Sequence, residues 1–520
     1  MITPERRVAV SLSVVLLLLT LAVTALPYLT LRSYFPMTRD IQHPMAAQYL
    51  IDHGRPLEFP AETEEFYPNT FAYLVGAFTL VTGLDVLTSL KLVGTMLMGA
   101  SALAIYVFSK RLFGQYVALF AVLVYGVFSF QPRQTFDDGT LIEVLASYGL
   151  LPLFLAAMFE VVVAPRKRTA LLTGLLGGAL IRFHFVATTV AIGVASSFVV
   201  MTLSIHRRLV TKQLVANLAV AALIAGIVGA PYTWRYAEVY WSIALGRLGL
   251  LPPSPHEAQF PPVAFPGEVI AKLGQVYCAL AVLSVAFFIL KEVVARVPSP
   301  SALMLTLWLV VTVLGTVVSL PVPPERFVRA FALPASVAVA FAFHELRGYK
   351  TILSGALIVG MVLCLPSVVD AHLRTAETSQ YADSVDVPSL VFAGELVKQR
   401  DGVRILGDDS GVWLPYYAGE AALVFPGGPE TFAWFGEPLR SQYSSVFEAM
   451  QDPCREDSVS TLLAQNVRYI YLGRRPRHWT PPGYVYNDGA KLLGCGRYRL
   501  IYSEQTTDGP IYVFELLDNR

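Results

Sequence analysis

The amino-acid sequence predicts a polytopic α-helical membrane protein that ends in a small α/β domain. Of the 520 residues, 55% are hydrophobic and only 15% are charged, and the mean hydropathy is +0.55. This composition is far from that of a soluble globular chain. Apolar stretches alternate with short basic clusters up to about residue 369, and strand-like runs follow in residues 370–520.

The charge balance and the cysteines argue against two kinds of function. The formal net charge is +1, so no basic field over the whole chain points to a nucleic-acid partner. The cysteines form neither a CxxC pair nor a Cys/His cluster, which argues against a zinc site. Cys454 and Cys495 lie in the tail, where one disulfide and two free thiols are equally compatible with the sequence.

Eleven apolar stretches reach the length needed to cross a bilayer, roughly 17 to 25 residues each. The first, from Val8 to Leu26, resembles a signal peptide, but its length favours an uncleaved helix. The stretches begin near Val8, Asp85, Gln115, Leu141, Thr169, His184, Leu214, Glu268, Ser301, Phe327 and Thr351. They predict about eleven transmembrane helices in a membrane domain, residues 1–369.

Basic clusters predict the orientation of these helices, because cytoplasmic loops are enriched in Lys and Arg. One cluster precedes the first span, and the others follow every second span: Arg6/Arg7, Lys110/Arg111, Arg166/Lys167/Arg168, His206/Arg207/Arg208/Lys212, Lys291/Arg296 and Arg347/Lys350. This alternation holds only if the apolar run from Tyr67 to Gly83 does not cross. We therefore expect that run to be an outer-surface or re-entrant helix, with a cytoplasmic N-terminus and an extracytoplasmic tail in a multi-pass protein of the cell membrane.

The tail, residues 370–520, has the pattern of a small α/β domain. A helical pattern from Ser458 to Gln465 precedes one of its strand-like runs. The runs are Val403 to Leu406, Ala421 to Phe425, Val467 to Leu472, Tyr498 to Tyr502 and Ile511 to Leu516. Each is short and rich in β-branched or aromatic residues, as is typical of strands.

The first outer loop, residues 32–84, holds Asp40 about ten residues beyond the first span. A short helix is predicted from near Pro44 to Gly54. Its apolar face suits the membrane interface, which would hold Asp40 at headgroup depth. The alternative is that Asp40 caps this helix within a solvated loop, and the spacing alone does not decide between the two.

The second outer loop places Asp137 and Asp138 between the third and fourth spans, with Glu143 one turn into the next helix. Adjacent carboxylates repel each other, and one pKa rises unless a cation offsets the charge. An N-cap at Asp138 beside a solvated neighbour is the alternative. Because Glu143 is expected near membrane depth, where ionisable side chains are costly, the sequence favours a functional acidic site.

Three cations on the outer side are candidates for binding a lipid phosphate. Lys91 is expected about two turns below the outer surface on the second span, where an ammonium needs a partner or must extend to the interface. Arg326 and Arg329 lie at the outer mouth of the tenth span. Their guanidinium groups match the geometry of phosphate oxygens.

Five further residues are candidates for binding substrate. Arg182 and His184 occupy the predicted tight turn between the fifth and sixth spans, where a lone His more often makes a local hydrogen bond. Trp234, Arg235 and Glu238 begin the fourth outer loop. An aromatic belt at the interface accounts for part of that pattern, but aromatic faces with interleaved polar groups also suit a sugar or a prenyl chain.

The order of these motifs resembles that of the GT-C glycosyltransferases, which include protein O-mannosyltransferases, bacterial aminoarabinose transferases and the catalytic subunit of oligosaccharyltransferase. In that class an early acid is followed by juxtamembrane helices, as in DIQHPMAAQYLIDHG and FYPNTFAYLVGAFTLVTGLD. FDDG stands at the second acidic motif, and RILGDDSGVWLPYYAGEAALVF resembles the start of the outer domain in prokaryotic members. Ile41, Tyr67 and the lack of a Trp-Trp-Asp signature in the tail depart from particular subfamilies.

This resemblance implies an inverting glycosyltransferase that moves a sugar from a polyprenyl-phosphate donor to a glycan, lipid or protein acceptor in the cell envelope, as in protein glycosylation. Asp40 corresponds to the general base, and Asp137 and Asp138 would hold the acceptor or a divalent cation. Mg or Mn is the candidate cofactor, with Asp40 and Asp138 as its ligands, because both ions prefer carboxylate oxygen.

Two other functions are compatible with a membrane chain of this kind. A transporter or flippase for lipid-linked sugars usually shows repeated halves with interrupted mid-membrane helices, and the sequence shows neither. A non-catalytic membrane scaffold with a partner-binding outer domain is harder to separate, because the tail could be its functional part. In a scaffold, the acids of the outer loops should be dispensable.

Overall fold

A computed structural model describes residues 42–54, 70–129, 141–247, 250, 270, 273–293, 297–317, 325–346, parts of 359–370, 386–407, 414–424, 439–473, 489–506 and 509–517. The chain divides into two compact units. We call Met1–Thr30, Phe66–Thr70 and Lys91–Thr378 the helical unit, and Leu31–Glu65, Phe71–Leu90 and Ser379–Arg520 the mixed unit.

Eleven helices are described before the tail. They are α1 (Gln42–His53), α2 (Thr70–Thr82), α3 (Val86–Phe113), α4 (Gln115–Leu123), α5 (Leu141–Val163), α6 (Lys167–Phe183), α7 (Phe185–Ile205), α8 (Lys212–Arg247), α9 (Gln275–Phe288), α10 (Pro300–Val317) and α11 (Glu325–Leu346). Turns of π-helix extend α4 over Val124–Phe128 and α9 over Ile289–Val293, and another lies inside α5 over Val144–Leu150.

Six helices of the described part are long and apolar enough to cross a membrane. They are Val86–Phe113, Leu141–Val163, Phe185–Ile205, Lys212–Ala230, Gln275–Glu292 and Arg326–Leu346. Gln115–Phe128 and Pro300–Thr316 are apolar but shorter. The mostly helical membrane part agrees with the prediction. The total of eleven spans stays a prediction, since the stretch near Val8 lies outside the described residues.

Within the apolar run from Tyr67 to Gly83, the described residues Thr70–Thr82 form α2, which has 13 residues. At 1.5 Å per residue this helix is about 20 Å long, whereas the hydrocarbon core of a bilayer is about 30 Å thick. Gly83 ends the helix with φ +71°, a conformation that glycine adopts at little cost. The length fits the predicted surface or re-entrant helix.

Helix α1 begins at Gln42, two residues before the predicted Pro44, and ends before Gly54, whose φ is +65°. Its Ala47 is fully buried. A Cβ added at Gly76 of α2 would lie 3.2 Å from Leu50 Cδ2. Helices α1 and α2 therefore pack closely, and the absence of a side chain at Gly76 makes the approach possible.

Helices α6 and α8 of the helical unit pack closely through glycines. A Cβ at Gly174 would lie 2.7 Å from Ile224 Cβ, and one at Gly178 would lie 2.4 Å from Val228 Cβ. From the other side, a Cβ at Gly229 would lie 2.8 Å from atoms of Ile181. Glycines four residues apart let membrane helices approach closely, because dispersion contacts replace the missing hydrophobic driving force.

The tail contains a five-stranded sheet in the order β2-β1-β3-β5-β4. Its strands are β1 (Arg404–Gly407), β2 (Ala422–Val424), β3 (Val467–Leu472), β4 (Tyr498–Thr506) and β5 (Gly509–Leu516). Strand β1 is parallel to β2 and β3, whereas β5 is antiparallel to β3 and β4. Each of the five strand-like runs in the sequence coincides with one of these strands.

Helices α12 (Val387–Lys398), α13 (Leu414–Ala418), α14 (Leu439–Gln451), α15 (Glu456–Ala464) and α16 (Gly489–Gly494) accompany this sheet. Two apolar clusters form because alternate residues of a strand point to opposite faces. Leu406 and Ile470 belong to one cluster, and Ile405 and Tyr469 belong to the other. Leu87, in the first turn of α3, packs against the second cluster, so the start of α3 is part of the mixed unit.

Cys454 and Cys495 form a disulfide, with their Cα atoms 5.4 Å apart. The bond links the turn before α15 to the segment between α16 and β4. The sequence left this pairing open, because it does not give the distance between the two thiols.

Candidate functional site

Three predicted site residues, Asp40, Asp137 and Asp138, lie outside the described residues. The segment that holds Asp137 and Asp138 is flanked by Ser129 and Leu141, the nearest described residues, and both are fully buried.

Glu143 and Arg329 lie next to each other in the structure. The sequence had assigned Glu143 to the acidic site and Arg329 to phosphate binding. An Arg329 Nη1 atom lies 3.6 Å from Glu143 Oε2, and both side chains are buried. Glu143 lies on α5 and Arg329 on α11. Burying two charges is costly unless they are paired, because each loses its hydration. The ion pair is therefore the central polar feature of the described part of this site.

Local structure explains why these residues occupy their positions. Glu143 is the third residue of α5, and a carboxylate in the first turn is stabilised by the partial positive charge of a helix N-terminus. Arg326 and Arg329 lie three residues apart in the first turns of α11, so both lie on the same side of that helix. Arg326 is only half-buried, which makes it the more accessible of the two guanidinium groups.

Hydrogen bonds fix α11 further along the same helix. The Tyr277 hydroxyl of α9 donates to the Ala332 carbonyl, and it lies 3.1 Å from Ser336 Oγ. Pro334 lies between these two positions. Proline has no N–H for the carbonyl four residues earlier, so it weakens the helix at this point. Tyr277 therefore binds α11 close to the position at which Pro334 removes a backbone hydrogen bond.

Two π-helical turns lie next to the acidic loop. Tyr125 is in the turn that ends α4, and Tyr148 is in the turn inside α5. Both rings are fully buried, and their centroids lie 6.0 Å apart in an edge-to-face arrangement. Turns of this type are frequent at functional sites, since they redirect side chains within a helix. Neither tyrosine was among the residues predicted from the sequence, where their positions beside the acidic segment were the available signal.

Arg182 and His184 lie at the predicted turn between two helices, because α6 ends at Phe183 and α7 begins at Phe185. The Ala187 N–H donates to His184 Nδ1 at 3.3 Å, and the ring is buried. This is the local hydrogen bond that the sequence analysis gave as the alternative to substrate binding. The Arg182 carbonyl accepts a bond from the Thr70 hydroxyl at 3.2 Å.

Trp234, Arg235 and Glu238 were expected in a loop, but α8 continues as a helix to Arg247. The expected loop boundary near Thr233 is therefore wrong for these residues. Trp234 is 75% exposed, so its indole is accessible. Aromatic and apolar side chains tolerate a helical backbone well, and the sequence pattern did not distinguish a long helix from an aromatic loop.

Lys91 lies five residues after the start of α3 and is half-buried. It lies about 8 Å along the helix axis from the first residue of α3, and its position about two turns below the outer surface stays a prediction. Among the described residues, no group of three His, Cys, Asp or Glu side chains is arranged to hold a metal ion. The proposed ligands Asp40 and Asp138 lie outside those residues.

A second polar cluster lies in the mixed unit. Asp85 caps α3, accepting the Thr88 N–H at 2.9 Å, and it interacts electrostatically with Tyr416 and Tyr417 of α13. Burial, together with the charge of Asp85, raises the pKa of Tyr417 to about 12. The sequence analysis did not find this cluster, because its members are far apart in the chain.

Several solved structures share this fold at low sequence identity. The apo oligosaccharyltransferase of Archaeoglobus fulgidus is 12% identical with a TM-score of 0.65, covering 90% of this chain and 69% of that chain. ArnT from Cupriavidus metallidurans, bound to undecaprenyl phosphate, is 11% identical with a TM-score of 0.56, covering 98% of both chains. Arabinofuranosyltransferase AftD from Mycobacteria is 14% identical with a TM-score of 0.59, covering 99% of this chain and 40% of that chain.

No protein-family model and no curated protein matches the chain. The solved structures are GT-C glycosyltransferases, so this chain has the fold of that class of multi-pass membrane proteins. Further structures of the Archaeoglobus enzyme hold an inhibitory peptide with a dolichol-phosphate, or Zn with sulfate.

Proposed function

We propose that the protein is an inverting glycosyltransferase of the cell membrane. It transfers a sugar from a polyprenyl-phosphate-linked donor to a glycan, lipid or protein acceptor at the outer face. The GT-C fold supports this at the level of the enzyme class. ArnT and the oligosaccharyltransferase, which share the fold, have been solved with undecaprenyl phosphate and with dolichol-phosphate.

The observation that carries the proposal is the buried pair of Glu143 and Arg329. The pair lies at the start of α5, immediately after the loop that holds Asp137 and Asp138. A membrane protein keeps a buried guanidinium at a cost, and a guanidinium group can bind phosphate oxygens in a bidentate geometry. Arg329, its neighbour Arg326 and Lys91 are proposed to bind the donor phosphate.

Asp40 is proposed as the general base. It takes the proton of the acceptor hydroxyl while the acceptor oxygen attacks the anomeric carbon and the bond from that carbon to the phosphate oxygen breaks. Base catalysis and stabilisation of the leaving phosphate are then supplied by different residues. A single displacement of this kind inverts the configuration of the anomeric carbon.

Asp137 and Asp138 are proposed to hold the acceptor or a divalent cation. Carboxylate oxygens fit Mg or Mn, and Asp40 with Asp138 would be the ligands. When bound, such an ion would offset the mutual repulsion of the acids. Arg182, Trp234, Arg235 and Glu238 remain candidates for contacting the sugar or lipid, and His184 would act by shaping the turn beside Arg182.

The proposed sidedness has two supports in the mixed unit. Helix α1, most of α2 and the first turn of α3 belong to the same compact unit as residues 379–520, which fits an outer loop 32–84 and a tail domain 370–520 on one side of the membrane. The disulfide between Cys454 and Cys495 fits an oxidising, extracytoplasmic location. The N-terminus would then be cytoplasmic.

The test is glycosyl transfer in membranes with a panel of labelled lipid-linked sugars. Asp40→Asn is expected to lower the rate by roughly 10²- to 10⁴-fold, because it removes the base. Asp138→Asn is expected to be similarly impaired. The matched control is Asp52→Asn, which removes an exposed carboxylate of α1 that accepts a hydrogen bond from Gln48, and it should transfer at the wild-type rate.

Wild-type transfer by both Asp40→Asn and Asp138→Asn would show that the proposed site is wrong. A scaffold predicts that neither the wild type nor either variant transfers sugar from any lipid-linked donor. A transporter predicts movement of the intact lipid-linked sugar between leaflets with no new glycosidic bond. Product analysis therefore separates the three functions.

A further inference from the structure

We propose that Glu143, through its pairing with Arg329, lowers the affinity of the site for the lipid phosphate product and so promotes its release. This inference rests on the proposed function. It gives Glu143 a role different from direct contact with substrate, because the carboxylate is only 1% exposed and pairs with Arg329.

The three charged side chains differ in depth within the helical unit. Glu143 is fully buried, Arg329 is 8% exposed and Arg326 is half-buried. Exposure increases from Glu143 to Arg329 to Arg326, so Arg326 is the most accessible of the three to an anion. The distance of 3.6 Å between Arg329 Nη1 and Glu143 Oε2 keeps the two charges within strong electrostatic range.

The backbone that carries Arg329 is held in place independently. Tyr277 fixes α11 at Ala332 and Ser336, on either side of Pro334. With α11 fixed there, the remaining freedom of Arg329 lies mainly in its long side chain. Pairing with Glu143 orients that side chain, and a planar guanidinium with one edge toward a carboxylate can present its other edge to phosphate.

The charge of the lipid changes during transfer. In the donor the phosphate is a diester with one negative charge. When the bond from the anomeric carbon to oxygen breaks, both electrons of that bond go to the phosphate oxygen. The acceptor proton goes to the base. The product is a phosphate monoester that carries a second negative charge above its second pKa of about 6.

Glu143 acts differently on the two lipids. Its fixed negative charge offsets part of the attraction of Arg329, and the penalty is larger for a dianion than for a monoanion. A site made of arginines alone would bind the product more tightly than the donor and would release it slowly. With Glu143 in place, the site binds donor and product with similar strength, so turnover continues.

Binding of two lipids to the full-length protein in nanodiscs tests this role. The probes are undecaprenyl phosphate and its methyl diester at pH 8. The wild type should bind them within about threefold of each other, whereas Glu143→Gln should bind the monoester about tenfold more tightly than the wild type does. Binding of the diester should change much less. A residue that only maintained the fold would not increase affinity when removed.

Two variants serve as matched controls. Glu143→Asp keeps the charge and should bind both lipids like the wild type. Glu160→Gln removes a carboxylate from the same helix, α5, where it pairs with Arg111 at 2.8 Å, and it should leave both affinities unchanged. Steady-state transfer should show stronger inhibition by undecaprenyl phosphate, and a lower kcat, in Glu143→Gln alone.

Unchanged or weaker binding of the monoester by folded Glu143→Gln would overturn the inference. If that variant does not fold, binding of the two lipids to the wild type still tests the inference. A preference of the wild type for the monoester above about tenfold would contradict a balancing carboxylate. Arg329→Gln should weaken binding of both lipids. Equal binding by wild type and Arg329→Gln would overturn the phosphate site itself, and with it the role of Glu143.

Discussion

The helical unit and the mixed unit both contain ion pairs between glutamate and arginine, but the pair is buried in the first unit and exposed in the second. In the helical unit, Glu143 and Arg329 are both buried. In the mixed unit, Glu515 of β5 lies 3.1 Å from Arg400 and also pairs with Arg499, and the two arginine side chains are 55% and 62% exposed. Arg400 also lies over the ring of Tyr469.

The difference in exposure determines how much free energy each ion pair contributes or costs. Water and salt screen the exposed pairs, which contribute about 0 to 1 kcal/mol each. Solvent does not screen a buried pair. Removing one partner therefore leaves the other charge unpaired in an apolar environment. Keeping Glu143 and Arg329 buried in the membrane part costs free energy, and that cost favours a functional role for the pair. The exposed pairs of the sheet carry no comparable cost, so they require no functional explanation.

The largest effect is expected from Arg329→Gln. The change should destabilise the helical unit by roughly 3–5 kcal/mol, because it removes the cation paired with Glu143, and it should abolish transfer. Thermal unfolding in detergent measures the first effect. Combining Arg329→Gln with Glu143→Gln should recover part of the stability but not the activity.

The exposed pair between Arg111 and Glu160, 2.8 Å apart, provides the control for that prediction. Arg111→Gln should cost no more than about 1 kcal/mol. Equal losses from Arg111→Gln and Arg329→Gln would remove the contrast between the buried and exposed pairs.

The next effect concerns the disulfide of the mixed unit. Replacing Cys454 and Cys495 by Ser should destabilise this unit by roughly 2–4 kcal/mol, since the bond closes a loop with a sequence separation of 41 residues. Hydrogen exchange of the β3 and β5 amides in the full chain measures this loss. Amides of α6 and α8 in the same sample should exchange as in the wild type, and faster exchange there would show that the two units do not unfold separately.

A smaller effect is expected where α6 meets α8. Gly178→Ala should cost roughly 1–3 kcal/mol, because the new methyl group would overlap with Val228. Gly226→Ala on α8 is the matched control, since no atom lies within 4 Å of a Cβ there, and it should be neutral or slightly stabilising. Thermal unfolding that ranks the two variants in the opposite order would contradict the described packing.

The smallest effect concerns pH. Burial would raise the pKa of Glu515, but hydrogen bonds from Arg499 and Arg400 outweigh it and lower that pKa below its usual value. The ionised carboxylate therefore stabilises the mixed unit above the unfolded-state pKa, and that stability is lost as pH falls through the folded-state pKa. The loss should not exceed about 1 kcal/mol and should be absent from Glu515→Gln. Hydrogen exchange of β5 at pH 3 and pH 6 measures it.

Much of the fold could be predicted from local pattern. Hydrophobic runs located the helices, glycines ended α1 and α2, and β-branched and aromatic runs located all five strands. The extent of α8 was wrong, because helical and loop interpretations of its aromatic segment use the same residues. These features depend on neighbours within about ten residues, which is the range over which periodicity and capping act.

The candidate site was predicted in part. Glu143 was selected because an ionisable side chain near membrane depth is costly. Arg326 and Arg329 were selected because guanidinium groups match the geometry of phosphate oxygens. The pairing of Glu143 with Arg329 could not be predicted, since it joins helices that are distant in the chain. Tyr277, Tyr125 and Tyr148 were missed for a related reason: a tyrosine in an apolar helix has no sequence feature that distinguishes a polar contact from simple packing.

The sequence by itself determined that this chain enters a membrane and where its basic clusters lie along the chain, and it predicted which residue types meet at the outer side. Apolar area and charge decide those properties, and both are sums over local residues. Only the tertiary structure decided that Arg329 pairs with Glu143, that Tyr277 supports the same helix, and that Cys454 bonds to Cys495. Those contacts depend on how distant helices and strands approach each other, and the packing of the whole chain sets that distance.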